Sequence, residues 1–198
     1  MAFQDLADSA KESRSKHRDR LIAVYIGVLA VALSICSVGG GNATKVATAR
    51  NIEAANTWAF FQAKNIRRND VRLQIDELEL KLAAEPGLSE AARAAIEDKL
   101  KTYRATEARL GSEPETGEGM KELLAKGKSL EALRDLAMRK DPYFDYGQAL
   151  LQIAIVLASV SIITGGASLL VLSMLLASLG VASAVNGFAL LYSVPLIG

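Results

Sequence analysis

The side chains whose types and spacing come nearest to a reactive constellation are the Gly127-Lys128-Ser129 run, the single cysteine Cys36, the single histidine His17 and the carboxylates between Asn42 and Tyr146. Gly-Lys-Ser closes a phosphate-binding loop only when a glycine stands five positions before it and a strand leads into it. Here that position is Glu122, and the run falls inside an amphipathic helical pattern. With one Cys and one His, zinc sites, histidine triads and paired-histidine haem ligation lack their parts within one chain. Cys36 has no partner for an intrachain disulfide, so cysteine usage leaves the redox compartment open. Asn42-Ala43-Thr44 matches a glycosylation sequon, a pattern too short to carry weight. No nucleophile is paired with a base, so a non-enzyme with no catalytic residue, cofactor or metal is expected.

Charge points the same way. The 198 residues hold 23 Lys and Arg against 22 Asp and Glu, a net charge of +1, which argues against a nucleic-acid partner. Arg67, Arg68 and Arg72 form a short basic patch that Asp70 and Asp76 dilute. Charges are dense along most of the chain and absent from three windows, a segregation that a soluble core of this size does not need.

Those windows must position whatever the chain does. Residues 21–41 would span ~30 Å as a helix, enough to cross a hydrocarbon core. Its about ten Leu, Ile and Val residues outweigh Ser34 and Ser37, since each contributes roughly −0.3 to −0.6 kcal/mol to insertion. Lys11, Arg14, Lys16, Arg18 and Arg20 precede it as a basic tail over residues 1–20. The apolar stretch is too long for a cleaved signal peptide, so it is expected to be retained as an anchor. Residues 147–164 and 167–192 form the second and third windows. Gly165-Gly166 between them reads as a tight reversal, and Pro195 ends the last helix.

Within the windows, small residues line one stripe each, a pattern that lets helices approach closely. The stripes run Ala23, Gly27, Ala30, Ser34, Ser37 and Gly41; then Gly147, Ala154, Ala158, Ser161 and Gly165; then Ser173, Ala177, Gly180, Ala184 and Gly187. They are read as packing seams within the chain or between subunits. Gln148, Gln152 and Asn186 are the strongly polar in-membrane side chains, expected as interhelical hydrogen-bonding groups or, in a ring of subunits, as pore lining. No ionisable group accompanies them in the spans, which lowers the channel reading. Tyr143, Phe144 and Tyr146 stand just before the second window, where amphipathic rings favour the headgroup layer.

Between residues 42 and 146 lies the charged segment. No Pro or Gly occurs from Ala43 to Ala84, while Val71, Ile75, Leu78 and Leu82 recur at helical spacing. A helix over 43–84 is predicted. Pro86-Gly87 ends it, and Ser89 caps a second helix over 89–110. After a loose stretch from Ser112 to Gly119, a third helix over 120–139 meets Asp141-Pro142. The first helix roughly matches the other two combined, so an antiparallel hairpin stalk ~60 Å tall follows, interrupted in its returning limb. Trp58, Phe60 and Phe61 would lie inside this stalk or between subunits, or on the membrane surface if Gly39-Gly40-Gly41 bends the chain sharply. Five (i, i+4) pairs read as helix-surface ion pairs, among them Arg72 with Asp76 and Glu122 with Lys126.

Asn56 to Arg67, NTWAFFQAKNIR, and Asp141 to Thr164, DPYFDYGQALLQIAIVLASVSIIT, resemble the signature stretches of an uncharacterised bacterial membrane family, domain of unknown function 4337. The resemblance extends over nearly the whole chain. It implies a bacterial inner-membrane protein with a helical extramembrane arm, and it brings no catalytic or binding residue.

The expectation is therefore an all-α membrane protein with three transmembrane helices and a long extramembrane antiparallel helical stalk. The basic tail places the N-terminus in the cytoplasm and the stalk and C-terminus on the periplasmic side, with Arg134, Arg139 and Lys140 as the opposing signal. The expected role is structural: a scaffold contacting the lipid bilayer and forming a homo-oligomer. Attachment to another membrane complex is the second reading, and an oligomeric channel or transporter the third.

Overall fold

A computed structural model describes the backbone of residues 2–192 and the side chains of Ser13 and of 15–192. The side chains of Lys11 and Arg14, and Pro195, lie outside the described residues. Four helices follow one another: α1 (Ala2–Ala84), α2 (Glu90–Gly111), α3 (Met120–Thr164) and α4 (Ala167–Ala189). No strand occurs among the described residues. Three of the helices, α1, α3 and α4, carry a stretch long and apolar enough to cross a membrane.

Two expected helix boundaries are absent. The first span and the first stalk helix are one element, because Gly39, Gly40 and Gly41 remain helical inside α1. A glycine costs about 1 kcal/mol in a helix interior relative to Ala. Here Gly39 and Gly40 offset that cost by letting the Phe144 side chain rest on the bare backbone. Likewise α3 does not stop at Arg139 but runs through Pro142 into the second span. Proline removes one backbone hydrogen bond. The turn is held from outside by Thr44, whose hydroxyl lies 2.9 Å from Asp141 Oδ1 and 3.1 Å from its own Gly40 carbonyl. Burial of Tyr143 and Phe144 just beyond the proline fastens it further.

The chain divides into two units, residues 1–47 with 135–198, and residues 48–134. The first is a three-helix bundle whose core joins Leu29, Cys36 and Ala43 of α1 to Phe144, Leu151 and Ala154 of α3 and Ala177 of α4. Gly165, at φ +69°, makes the reversal between α3 and α4. That left-handed geometry favours glycine. Arg18 donates to the Gly165 carbonyl at 3.1 Å, tying the start of the first span to the hairpin tip.

The second unit is the stalk. Residues 48–84 of α1 descend, and α2 returns against them through Val71, Ile75, Leu100 and Leu110, with Leu78, Leu82, Ile96 and Tyr103 around this core. Ser89 accepts a hydrogen bond from the Ala92 amide at the start of α2, satisfying a donor that would otherwise lack an intrahelical partner. The returning limb is interrupted between Gly111 and Met120, after which α3 continues it. There Trp58 lies over Gly127 and donates through Nε1 to Glu131 at 3.0 Å. Phe61 meets the Trp58 ring edge to face at 5.7 Å.

Candidate functional site

The expected packing seams separate into two kinds. Those of the second and third spans face each other. Gly147, Ala154, Ala158 and Ser161 of α3 are buried, as are Ser173, Ala177, Gly180 and Gly187 of α4, with Ala184 half-buried. A Cβ on Gly180 would stand 3.1 Å from the Gly147 carbonyl oxygen, and one on Gly147 equally close to the Gly180 carbonyl. The hairpin therefore closes backbone against backbone, the arrangement small residues permit.

The seam of the first span is different. Ala23, Gly27, Ala30, Ser34, Ser37 and Gly41 are all exposed, and nothing lies within 4 Å of a Cβ placed on Gly27 or Gly41. What α1 turns inward instead is Ile22, Leu29, Cys36, Gly39, Gly40 and Ala43. The exposed stripe is made of small residues throughout, whereas the packed line mixes Ile22 and Leu29 with Cys36, Gly39, Gly40 and Ala43.

Phe144 sits at the centre of the bundle. Its ring is 2% exposed and lies against Gly39, Gly40 and Gly187, with Phe188 edge-on at 4.8 Å. Tyr143 is buried too, its hydroxyl donating to the Tyr192 carbonyl at 3.1 Å. Of the three aromatics expected in the headgroup layer, only Tyr146 is exposed. Residues 143 and 144 fall on the helix face that carries Gly147 and Leu151, which is why their rings turn into the bundle.

Several polar groups in the spans hold the helices to one another. Ser173 donates to the Ala154 carbonyl at 2.6 Å, leaving its oxygen to accept from Tyr25 at 3.2 Å, so one relay crosses α1, α4 and α3. Cys36 donates to the Phe144 carbonyl and Ser183 to that of Tyr143. Asn186 does not bridge helices; its amide holds both the N–H and the carbonyl of Tyr192 and so finishes α4. Gln148 is half-buried beside Gly40, whereas Gln152 is exposed on the outside of α3. Tyr25 escaped the sequence reading, although a lone tyrosine among aliphatic residues signals a hydroxyl that needs a partner. Above this relay lies an open apolar groove of about 650 Å³ lined by Tyr25, Leu29, Met174, Ala177, Ser178, Val181 and Ala182.

In the stalk several charged residues tie one helix to another, while Arg50 with Glu53 at 2.7 Å and Arg109 with Glu113 at 3.6 Å pair locally along the chain. Arg72 reaches Glu107 on α2, where Arg68 also bonds at 3.3 Å, and Arg104 pairs with Glu79. The hydrogen bond from Arg72, followed by the charges of both arginines, holds the Glu107 carboxyl below its ordinary value. Glu122 turns back to accept from the Ser112 hydroxyl at 2.6 Å and the Glu113 amide at 3.0 Å, which lowers its pKa and fastens the interruption in the returning limb. Lys64 stands 3.8 Å from Glu113 and 3.5 Å from Glu118, and 5.1 Å above the Phe60 ring. Gly127-Lys128-Ser129 lies within α3, and Ser129 donates to the Lys126 carbonyl. It has neither the strand nor the loop of a phosphate site.

Comparison with known proteins adds one finding. Residues 18–190 match the family described as domain of unknown function 4337. Among curated proteins and among solved structures nothing matches. The chain belongs to the domain of unknown function 4337 family.

Proposed function

We propose that this member of the family is a structural membrane protein that self-associates through the small-residue face of its first span. The observation that carries the reading is the contrast between the seams. Those of α3 and α4 are consumed within the hairpin, while Gly27, Ala30 and Ser34 stand exposed with room for another helix backbone. Lipid gains nothing from such a face, whereas a second helix gains close van der Waals contact along it. Gln152, exposed on the second span, supports a protein neighbour as well, since an amide facing lipid lacks a hydrogen-bonding partner.

The role is mechanical and not catalytic, and the residence is a bacterial inner membrane with the N-terminus in the cytoplasm. Mass measurement on the full chain in mild detergent tests the association. Integer multiples of the protomer are expected, with Gly27→Leu combined with Ser34→Leu shifting the population toward monomer. A wild-type chain found only as monomer sinks the proposal. A complex containing a chain of different mass transfers the same face to an accessory role in a larger assembly.

A further inference from the structure

We infer that the outer face of α1 in the stalk is a coiled-coil seam that receives the same face of a second copy, parallel and in register. The inference rests on the self-association proposed above and names its extramembrane contact.

Along the stalk, the residues that α1 buries repeat in sevens: Ala54 and Ile75 in one line, Thr57 and Val71 in another. A straight helix with 3.6 residues per turn drifts by about 20° per heptad, so a buried line kept to sevens means that α1 winds around its intramolecular partner. Two residues further on, roughly 200° around the helix, a second line keeps the same period: Ile52, Ala59, Ile66, Leu73 and Leu80. Ile66, Leu73 and Leu80 are 63%, 67% and 69% exposed, and Ile52 55%. Single exposed aliphatic residues are ordinary, but large ones aligned at heptad spacing on a water-facing helix are the mark of an unfilled seam.

The membrane and the flanking residues indicate what fills it. Copies inserted with one topology present α1 in the same direction, so in register each position meets itself. Ile66 faces Ile66 and Leu73 faces Leu73. The positions three residues on, Ala55, Gln62 and Asn69, are small or carry amides able to hydrogen-bond to their own kind. Across such an interface Arg72 of one copy approaches Glu77 of the other, the five-residue offset at which flanking charges pair in parallel coiled coils. Arg72 is half-exposed and has donors left over from Glu107. Asp76 meets its own like charge and is the weak point of the seam. The small residues Gly27, Ser34 and Gly41 stand in the same frame, multiples of seven before Ala55, Gln62 and Asn69.

Cysteine crosslinking of the full chain in native membranes tests this, in a Cys36→Ala background. Under mild oxidation Leu73→Cys and Ile66→Cys are expected to give dimers several-fold more readily than Gln74→Cys, one residue away on the exposed flank. Adding Asp76→Asn to Leu73→Cys should raise the dimer yield. Crosslinking at Leu73→Cys no better than at Gln74→Cys overturns the seam. If mass measurement on that same protein still gives oligomers, self-association survives without it; if it gives monomers, both readings fall. A crosslinked product of another mass overturns the second copy as occupant.

Discussion

At the residue scale, Phe144 packs against the bare backbone of Gly39 with no room for a side chain there. A Cβ on Gly39 would collide with the Phe144 ring and fall 2.9 Å from Phe188. Gly39→Ala is expected to lower stability by ~1–3 kcal/mol, the usual cost of overpacking, as read from thermal unfolding in detergent. Phe144→Leu added to it should recover part of that loss, because a smaller side chain then faces the new methyl. Failure of the second change to help would mean that helix geometry, and not the ring, sets the limit. In the stalk, Glu107 and Glu122 give a pH dependence whose sign follows from their lowered pKa values. Each contributes fully above its ordinary value of 4.5 and loses its contribution as pH falls through the lower folded value. The protection factors of the amides between Ser112 and Gly119, which remove the intrinsic pH dependence of exchange, should therefore fall on acidification, and Glu122→Gln should flatten that dependence. An unchanged profile in Glu122→Gln would assign the effect to another group.

At the element scale, much of the fold was legible where the signal is local or carried by composition. Three charge-free windows announce three spans, and Pro86-Gly87 with the Ser89 cap announces the hairpin's turn, because these effects act within a few residues. The fusion of span and stalk into single helices was not legible. Gly39, Gly40 and Pro142 are breakers by propensity, and the distant Phe144 and Thr44 account for their tolerance. The use of the small-residue stripes was equally hidden, since a one-dimensional pattern reports a face but not what covers it. Two glycine substitutions separate the cases. Gly180→Ala, whose Cβ would meet Leu151 and the Gly147 carbonyl, is expected to weaken the hairpin by ~1–3 kcal/mol. Gly27→Ala meets nothing within the chain and should leave the protomer as stable or raise its stability by up to about 1 kcal/mol through helix propensity. Equal losses in the two variants would contradict the assignment of inner and outer faces.

At the scale of the whole molecule, the proposal that α1, α3 and α4 each cross the membrane once implies a parity: the N-terminal tail and the Gly165 turn would share one side and the stalk would take the other. The Arg18 bond to the Gly165 carbonyl is consistent with that, since it joins the two points that must lie at one face. Which face it is depends on basic residues. In the proposed orientation Lys16, Arg18 and Arg20 favour a cytoplasmic tail, while Arg134, Arg139 and Lys140 before the second span are the opposing signal. The tail prevails in our reading because a long translocated segment such as the stalk is largely exempt from charge control. Gly87 is exposed, and nothing lies within 4 Å of a side chain added there, so Gly87→Cys in a Cys36→Ala background offers a reporter on the stalk. In intact bacteria whose outer membrane admits the reagent, a maleimide that cannot cross the inner membrane should label this cysteine. Replacing Lys16 and Arg20 by Gln should reduce the labelled fraction. Protection in the parent chain, with labelling only after lysis, would reverse the topology and leave the helices, seams and stalk as described.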